Sequence, residues 1–449
     1  MKQKNTGTIC TPLADDKTET IQLKGVNKKH LEVSFTGGDI TSDGGVLLLR
    51  QVDQKLGLTK MLSKILPDPR KQSRCKHSWL SIIKQRLFGI ALGYEDLNDH
   101  EHLKKDPAIQ TAVDREDELA STSTLWRMEQ TSDREVTIKI HELLFNRFIE
   151  SFDKPPEEII LDFDATDDIV HGKQIGRYYH GYYGNYCFLP LYVFCGHHLL
   201  AAYLRTSDKD GAKHSWAILA LLTKAIRKVW PNTRIVFRGD SGFCRWKMLR
   251  WCERHNVSYI VGVAKNSNLL SLAEPNISKA KEYFDHTHEK QRLFADISYA
   301  AKTWNRERRV IVKAEHSEKG SNPRFVVTNL NGEPEHLYSQ VYCARGDMEN
   351  RIKEQQLGLF ADRTSCHDWW PNQLRLLMSG LAYVLLSNIR NTALAGTKLA
   401  SAQVDTIRLR LLKVGAAIIR NTRRIRFLLS SSFPNQEIFL QALKRLAPS

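Results

Sequence analysis

The spacing of apolar residues changes twice along the chain. Up to about residue 151 they recur every three or four positions, as at Trp79, Ile83, Leu87 and Ile90. This spacing gathers apolar side chains on one helical face, so a largely helical segment is predicted. Pro155-Pro156 interrupts the pattern, and helical spacing returns from Asn372 onward.

Between these segments, short apolar runs predict strands. The predicted elements are strands at 159–164, 188–195 and 199–205, a helix at 213–229, a strand at 234–237, a helix at 245–255 and a strand at 258–263. Three strands joined by short turns, followed by alternating helices and strands, are expected of an RNase H-like α/β core. Further strands at 293–300, 308–317 and 323–330 predict a β-rich insertion at about 265–340, before a helix at 346–360.

Charge is the first indication of a partner. The chain has 66 Lys and Arg against 50 Asp and Glu, and its pI is near 9.4, which favours a polyanion such as nucleic acid. The excess is concentrated at residues 69–86, which contain Arg70 and Arg74 but no acid, and at residues 387–449. We interpret these flanks as DNA-binding; a basic surface that serves solubility is the alternative.

The cysteines and the apolar runs point to a compartment. The eight cysteines are dispersed, and Cys75-Lys76-His77 lacks a second half at zinc-site spacing. Free cysteines are typical of a reducing cytoplasm. The first residues lack the apolar core of a signal peptide, and no apolar run approaches a membrane span. A cytoplasmic protein with no membrane association is therefore expected.

Two aspartates lie at the ends of predicted strands. Asp164 ends the strand at 159–164 and shares one face of it with Asp162, which is the second choice as a metal ligand. Asp240 lies between Gly239 and Ser241-Gly242, where a tight turn would aim its carboxylate at the sheet edge. Capping of the next helix is an equally good explanation of Asp240.

A third acid, Glu349, lies near the start of a predicted helix. Arg345, Lys353 and Gln356 share its helical face. A surface ion pair between Arg345 and Glu349 is the simpler interpretation of this spacing. The alternative is a metal-binding acid flanked by cations that contact phosphate. Together, three converging carboxylates would suit two Mg²⁺ or Mn²⁺ ions, which prefer oxygen ligands and assist phosphodiester cleavage.

Several motifs together resemble the DDE-type transposases of bacterial insertion sequences. Leu161-Asp162-Phe163-Asp164-Ala165-Thr166 resembles the first-Asp motif, and Phe237-Arg238-Gly239-Asp240-Ser241-Gly242-Phe243 resembles the second. Tyr342, Arg345 and Glu349 have the spacing of the Tyr-Arg-Glu-Lys signature, found in the subgroup with a β-rich insertion. The signature expects Lys at position 356, which is Gln356 here, so Lys353, one turn earlier, is the alternative phosphate contact.

The resemblance implies an activity and a set of site residues. Asp164, Asp240 and Glu349 would be catalytic and would bind two metal ions, while Tyr342, Arg345 and Arg238 would contact DNA. Trp304, in the insertion, would stack on a flipped base during hairpin formation; ordinary packing is the alternative for Trp304 and for Tyr342.

The implied partners are double-stranded DNA, both terminal inverted repeats and target, and a second copy of the chain in a homodimer. A bacterial, nucleoid-associated protein is expected. The predicted organisation is a polar flexible tail (1–30), a helical DNA-binding domain (31–154), the catalytic core with its insertion (155–371) and a basic helical region (372–449).

Two other functions remain open from the sequence. An RNase H-like nuclease would hydrolyse DNA without strand transfer, and Tyr342 and Arg345 argue against it because hydrolysis does not require retained strand ends. A catalytically inactive repressor that binds transposon ends would also be basic, although all three acids are present.

Overall fold

The computed structural model describes residues 19–447. Most of the predicted N-terminal tail, residues 1–18, lies outside the described residues. Within the rest of that tail and just after it, strands Ile21–Val26 (β1) and Lys29–Val33 (β2) pair antiparallel. Ile21 lies opposite Val33, and Leu23 lies opposite Leu31. These apolar residues alternate with polar ones along both strands, so this part of the predicted flexible tail forms a hairpin.

The helical segment that follows agrees with the sequence pattern. Its elements are a short strand Ile40–Thr41 (β3) and helices Val46–Leu56 (α1), Leu58–Ile65 (α2), Trp79–Leu92 (α3), His100–Leu103 (α4), Pro107–Ala112 (α5), Thr122–Glu129 (α6) and Arg134–Glu150 (α7). Ser78 caps α3 and Asp133 caps α7, each by accepting a backbone N–H three residues on. The apolar stripe of α3 lies in the core.

The central segment has the predicted order of strands and helices, with three unpredicted short strands, within residues 168–188, added after the first strand as a separate small sheet. Its elements are Glu158–Ala165 (β4), Asp168–Ile169 (β5), Tyr178–His180 (β6), Asn185–Phe188 (β7), Leu191–Cys195 (β8), His198–Tyr203 (β9), Ser215–Val229 (α8), Arg234–Gly239 (β10), Trp246–Arg254 (α9) and Ser258–Val263 (β11). Strand β10 pairs in parallel with β4 and β11, and β8 pairs antiparallel with β4 and β9. The resulting order β9-β8-β4-β10-β11 confirms the RNase H-like core.

The insertion extends this sheet. It contains Ser267–Thr287 (α10), Gln291–Tyr299 (β12), Arg308–Ser317 (β13), Gly320–Ser321 (β14) and Arg324–Thr328 (β15). Strand β15 pairs with β11, so the sheet continues as β11-β15-β13-β12. Val310, Val312 and Ala314 alternate into the same core as Leu161 and Phe237. The 21-residue helix α10 was not predicted.

A continuous helical stretch, residues 334–358, returns across the sheet and is called the Glu349 helix below. It comprises Pro334–His336 (α11), a π turn at Leu337–Tyr342, a tight turn at Cys343–Arg345, Gly346–Lys353 (α12) and a second π turn at Glu354–Gly358. π turns interrupt helices mostly at functional sites. Here they lie on both sides of Arg345 and Glu349.

The C-terminal region combines helices with a hairpin. Its elements are Trp369–Asn388 (α13), Val404–Ile407 (α14), Ala416–Asn421 (β16), Arg424–Leu429 (β17) and Gln436–Leu446 (α15). The prediction of a wholly helical region is therefore wrong at β16 and β17. The arginines in these strands interrupt the apolar run by which a strand is recognised from sequence. Strand β16 pairs with β3, and Leu49 shares one core with Leu377 and Phe439. The helical segments before and after the α/β core thus form a single helical body.

A buried charge cluster holds this body together. Glu129 is fully buried and accepts from Arg86 Nε at 3.0 Å and from Arg375 Nε at 2.7 Å. Lys84, also buried, reaches Asp114 at 2.6 Å. Arg86 and Lys84, part of the predicted basic flank, are therefore structural residues. Within residues 19–447, no helix combines the length and apolar character needed to cross a bilayer.

Replacing Glu129 with Gln should lower the free energy of unfolding by about 3–5 kcal/mol, because two buried guanidinium groups lose their counter-charge. Glu135→Gln on α7 is the matched control, since Glu135 is mostly exposed in its pair with Lys139, and should cost about 0.5 kcal/mol or less. Urea denaturation of both variants measures the difference. Equal effects would show that the cluster does not stabilise the helical body.

Candidate active site

The register of two parallel strands places the first two acids side by side. Arg238 on β10 lies opposite Asp162 on β4, and Gly239 lies opposite Phe163. The next residues are Asp164, on β4, and Asp240, directly after β10. Neighbouring strands are about 4.8 Å apart, so these two carboxylates emerge together at the carboxyl edge of the sheet.

A buried ion pair beneath them maintains this register. Arg238 donates through Nε to Asp162 Oδ1 and through Nη2 to Asp162 Oδ2, the second of these bonds being 2.7 Å long. Its Nη1 donates to the carbonyl of Val341. Both side chains are buried, with Arg238 only 6% exposed. Arg238 is therefore a packing residue rather than the predicted DNA contact, and Asp162, the second choice as a ligand, is its counter-ion.

Asp240 begins a tight turn. Its Oδ1 accepts from the Gly242 N–H at 2.9 Å, so the capping role considered from the sequence is present. A Cβ at Gly262, on the adjacent β11, would lie 2.6 Å from Tyr342 Oη and 2.9 Å from Ser241 N. Tyr342 thus packs closely against the turn that carries Asp240. Sequence reasoning missed Gly262, although a glycine inside a strand is a signal of close approach.

Arg345 connects the third acid to the first. Its Nη1 lies 3.2 Å from Asp164 Oδ2, and its Nη2 donates to Glu349 Oε1. The i, i+4 ion pair considered from the sequence is therefore present, and it also reaches the end of β4. Burial is the main reason that the pKa of Asp164 rises to about 7. The positive charge of Arg345 lowers this pKa, and the negative charges of Asp240 and Glu349 raise it further. The three acids are thus close enough to interact electrostatically.

The carboxylates of Asp164, Asp240 and Glu349 are the type of ligand that divalent cations prefer, but the guanidinium of Arg345 lies between two of them. Within residues 19–447, no three His, Cys, Asp or Glu side chains stand close enough to hold a metal ion as they are placed. Three carboxylates are nevertheless the hard oxygen donors that Mg²⁺ and Mn²⁺ prefer. An ion shared by Asp164 and Glu349 would require the guanidinium of Arg345 to release at least one of them.

The remaining residues of the helix face have different surroundings. Lys353 is exposed. Gln356 donates to the carbonyl of Asp167 at 2.9 Å, which ties the Glu349 helix to the loop after β4. Gln356 therefore positions the helix, and Lys353 is the cation of this face that is free to reach a phosphate.

Three predicted DNA contacts lie outside this site. Trp304 packs edge-to-face on Tyr299 and under the Arg308 guanidinium, whose Nε lies 2.7 Å from Glu253. Glu253 lies in the last turn of α9, just before β11 begins, at the edge of the sheet where the parallel strands start. Asp240 follows the end of β10, so Trp304 lies at the opposite edge of the sheet from Asp240. Trp304 therefore lies away from the carboxylate edge, which local pattern did not reveal, and its stacking on a flipped base stays a prediction.

Arg70 and Arg74 lie in the helical body, between α2 and α3. Arg70 holds both oxygens of Asp68, at 2.7 and 2.8 Å, and lies over the Trp79 ring. Arg74 is exposed. Only Arg74 of this pair is positioned as a free surface cation.

The raised pKa of Asp164 predicts a pH-dependent stability. Between about pH 4 and pH 7 the native protein binds more protons than the unfolded chain, so without divalent metal its stability falls as pH rises through this window. Asp164→Asn should remove this loss and be more stable than wild type by about 2–4 kcal/mol at pH 8, with little difference near pH 4.

Chemical denaturation in a chelator at several pH values measures this effect. The exposed acid Asp153 supplies the control variant Asp153→Asn, which should follow wild type throughout. A constant difference between Asp164→Asn and wild type at every pH would contradict the burial of an ionisable carboxyl at position 164.

No curated protein matches this chain. A solved structure described as the cryo-EM structure of the piggyBac transposase synaptic complex with hairpin DNA is similar over 83% of this chain and 80% of that chain. The TM-score of this similarity is 0.41, and the sequence identity is 11%. The family model described as Transposase DDE domain group 1 matches residues 23–449, and the chain therefore belongs to that transposase family.

Proposed function

We propose that this protein is the transposase of a bacterial insertion sequence, which cuts DNA at its terminal inverted repeats and joins the freed 3′-OH ends to target DNA. The observation that carries this proposal is the convergence of Asp164, Asp240 and Glu349 at one sheet edge around Arg345. The family assignment and the net charge of +16 support it.

Asp164, Asp240 and Glu349 are the residues that would hold two Mg²⁺ or Mn²⁺ ions. Such a pair supplies an activated water and stabilises charge on the attacking and leaving oxygens of a phosphodiester. Asp164 lies on β4 and Asp240 directly follows β10, and these two strands are paired. Glu349 has the freer side chain, 42% exposed on its helix, so it can adjust to the substrate.

Arg345 has two successive roles in this proposal. Without substrate it neutralises Asp164 and Glu349, which would otherwise repel each other. When cations and DNA enter, the guanidinium transfers to a phosphate, for which its planar fork of donors is suited. Tyr342, packed against the Asp240 turn, limits where that strand can lie, and Lys353 neutralises a phosphate farther along the helix.

The finer features are carried over from the resemblance. A hairpin on the transposon end would be the intermediate, and two copies of the chain would hold two ends in a synaptic dimer. Nuclease activity without joining, or end binding without cleavage, are the two alternatives that the following experiment separates.

The direct experiment is cleavage of a labelled duplex that carries the element's own terminal repeats, with Mg²⁺ and with Ca²⁺. Asp164→Asn, Asp240→Asn and Glu349→Gln should each reduce cleavage by about a thousandfold or more while end binding persists. The exposed Asp347 on the same helix gives a matched control, and Asp347→Asn should cleave normally.

Joined products and hairpins with Mg²⁺ would establish the transposase. Nicks without joined strands would favour the nuclease, and binding without cleavage under any metal would favour the repressor. Near-normal cleavage by any of the three site variants would remove that residue from the catalytic set.

Lys353→Ala should weaken DNA binding by removing about one phosphate contact. The slope of log affinity against log salt concentration should fall by about one unit. Lys224→Ala on α8, also an exposed lysine, should leave affinity and slope unchanged. Fluorescence anisotropy across a salt series measures the affinity and the slope. An unchanged slope for Lys353→Ala would show that Lys353 does not contact a DNA phosphate.

A further inference from the structure

An aromatic hairpin projects from the loop region after β4. Strands β6 and β7 carry it, and five tyrosines lie between Arg177 and Cys187. Four of them are largely exposed: Tyr178 (47%), Tyr179 (59%), Tyr182 (87%) and Tyr186 (51%). Exposed aromatic groups concentrated in this way mark an interaction surface.

One face of the hairpin is aromatic and cationic. Tyr179 lies directly opposite Tyr186, with ring centroids 5.6 Å apart and ring planes inclined at 69°, and the Arg177 guanidinium lies 4.8 Å from the centroid of the Tyr186 ring. Residues 169–207, which include this hairpin, contain no acid, whereas Lys173, Arg177 and several histidines are present. The surface therefore favours a partner that offers both π faces and negative charge.

The hairpin is anchored beside the catalytic carboxylates. Strand β7 pairs with β5, which begins four residues after Asp164. At the hairpin turn Tyr183 packs on His180, and burial together with the carboxylates of Asp167 and Asp164 raises its pKa to about 12. A DNA strand whose scissile phosphate lies at Asp164 would have its neighbouring nucleotides within reach of this turn.

We propose that Tyr179, Tyr186 and Arg177 form a stacking platform for unpaired bases that flank the cleavage position. Bases stack on aromatic side chains without regard to sequence, and an arginine over the ring adds attraction for the strand. The platform takes single-stranded nucleotides, because a paired base buries its faces in the duplex. This inference rests on the proposed function, since it assumes that DNA occupies the carboxylate site.

The test compares two DNA probes that share a fluorescently labelled duplex, one blunt and one with a four-nucleotide single-stranded tail. We expect wild type to bind the tailed probe more tightly. Tyr179→Ala/Tyr186→Ala should lose about fivefold or more in affinity for the tailed probe per stacked base and little for the blunt one. Tyr179→Phe/Tyr186→Phe, which keeps both rings, should behave as wild type.

Two further measurements make the result specific. A 2-aminopurine placed in the tail should lose fluorescence on binding wild type but not the alanine variant, and 5-iodouracil in the tail should cross-link to Tyr179 or Tyr186. Trp216→Ala, which removes an exposed aromatic from α8, is the matched control and should retain the preference for the tail.

The outcomes separate this inference from the proposed function. Equal binding of tailed and blunt probes by wild type would overturn the platform while leaving the transposase proposal intact. Absence of any DNA binding would overturn both. If the alanine variant loses self-association instead of tail preference, the hairpin is a protein contact and the inference is wrong.

Discussion

The buried ion pair between Asp162 and Arg238 is the constraint on which the site depends. Sliding β10 along β4 by one residue would turn Arg238 to the opposite face and leave two charges unpaired in an apolar core. The pair therefore keeps Asp164 level with Asp240. Because Arg238 also binds the carbonyl of Val341, the same guanidinium fixes the helix that carries Glu349. One arginine thus positions all three acids.

Arg345 makes this arrangement of carboxylates tolerable in the protein alone. Two carboxylates about 4 Å apart repel by roughly 4 kcal/mol at a surface-like dielectric, and burial of Asp164 adds to that cost. A guanidinium shared by Asp164 and Glu349 offsets part of it. Two π turns interrupt regular winding on both sides of Arg345 and Glu349, the position in a helix where such turns mostly accompany a functional site.

Local sequence pattern was sufficient for the strands of the α/β core and for the acids that follow them, since a buried strand ending in a carboxylate is visible in a few residues. It was insufficient wherever a distant partner decides the outcome. Arg238 is buried because Asp162, 76 residues earlier, pairs with it. Trp304 lies at the other edge of the sheet because β13 pairs antiparallel with β15, which itself pairs antiparallel with β11. The family resemblance was confirmed, while the roles of the individual site residues remain predictions.

The shared core of the helical body has a consequence during protein synthesis. All strands of the large sheet, including those beside Asp164 and Asp240, have been synthesised once the ribosome has passed β15, which ends at Thr328. The first helices must wait longer, because β3 pairs with β16 and Leu49 packs in one core with Phe439. A nascent chain would therefore pair the strands that carry Asp164 and Asp240 before the helical body beside them is complete.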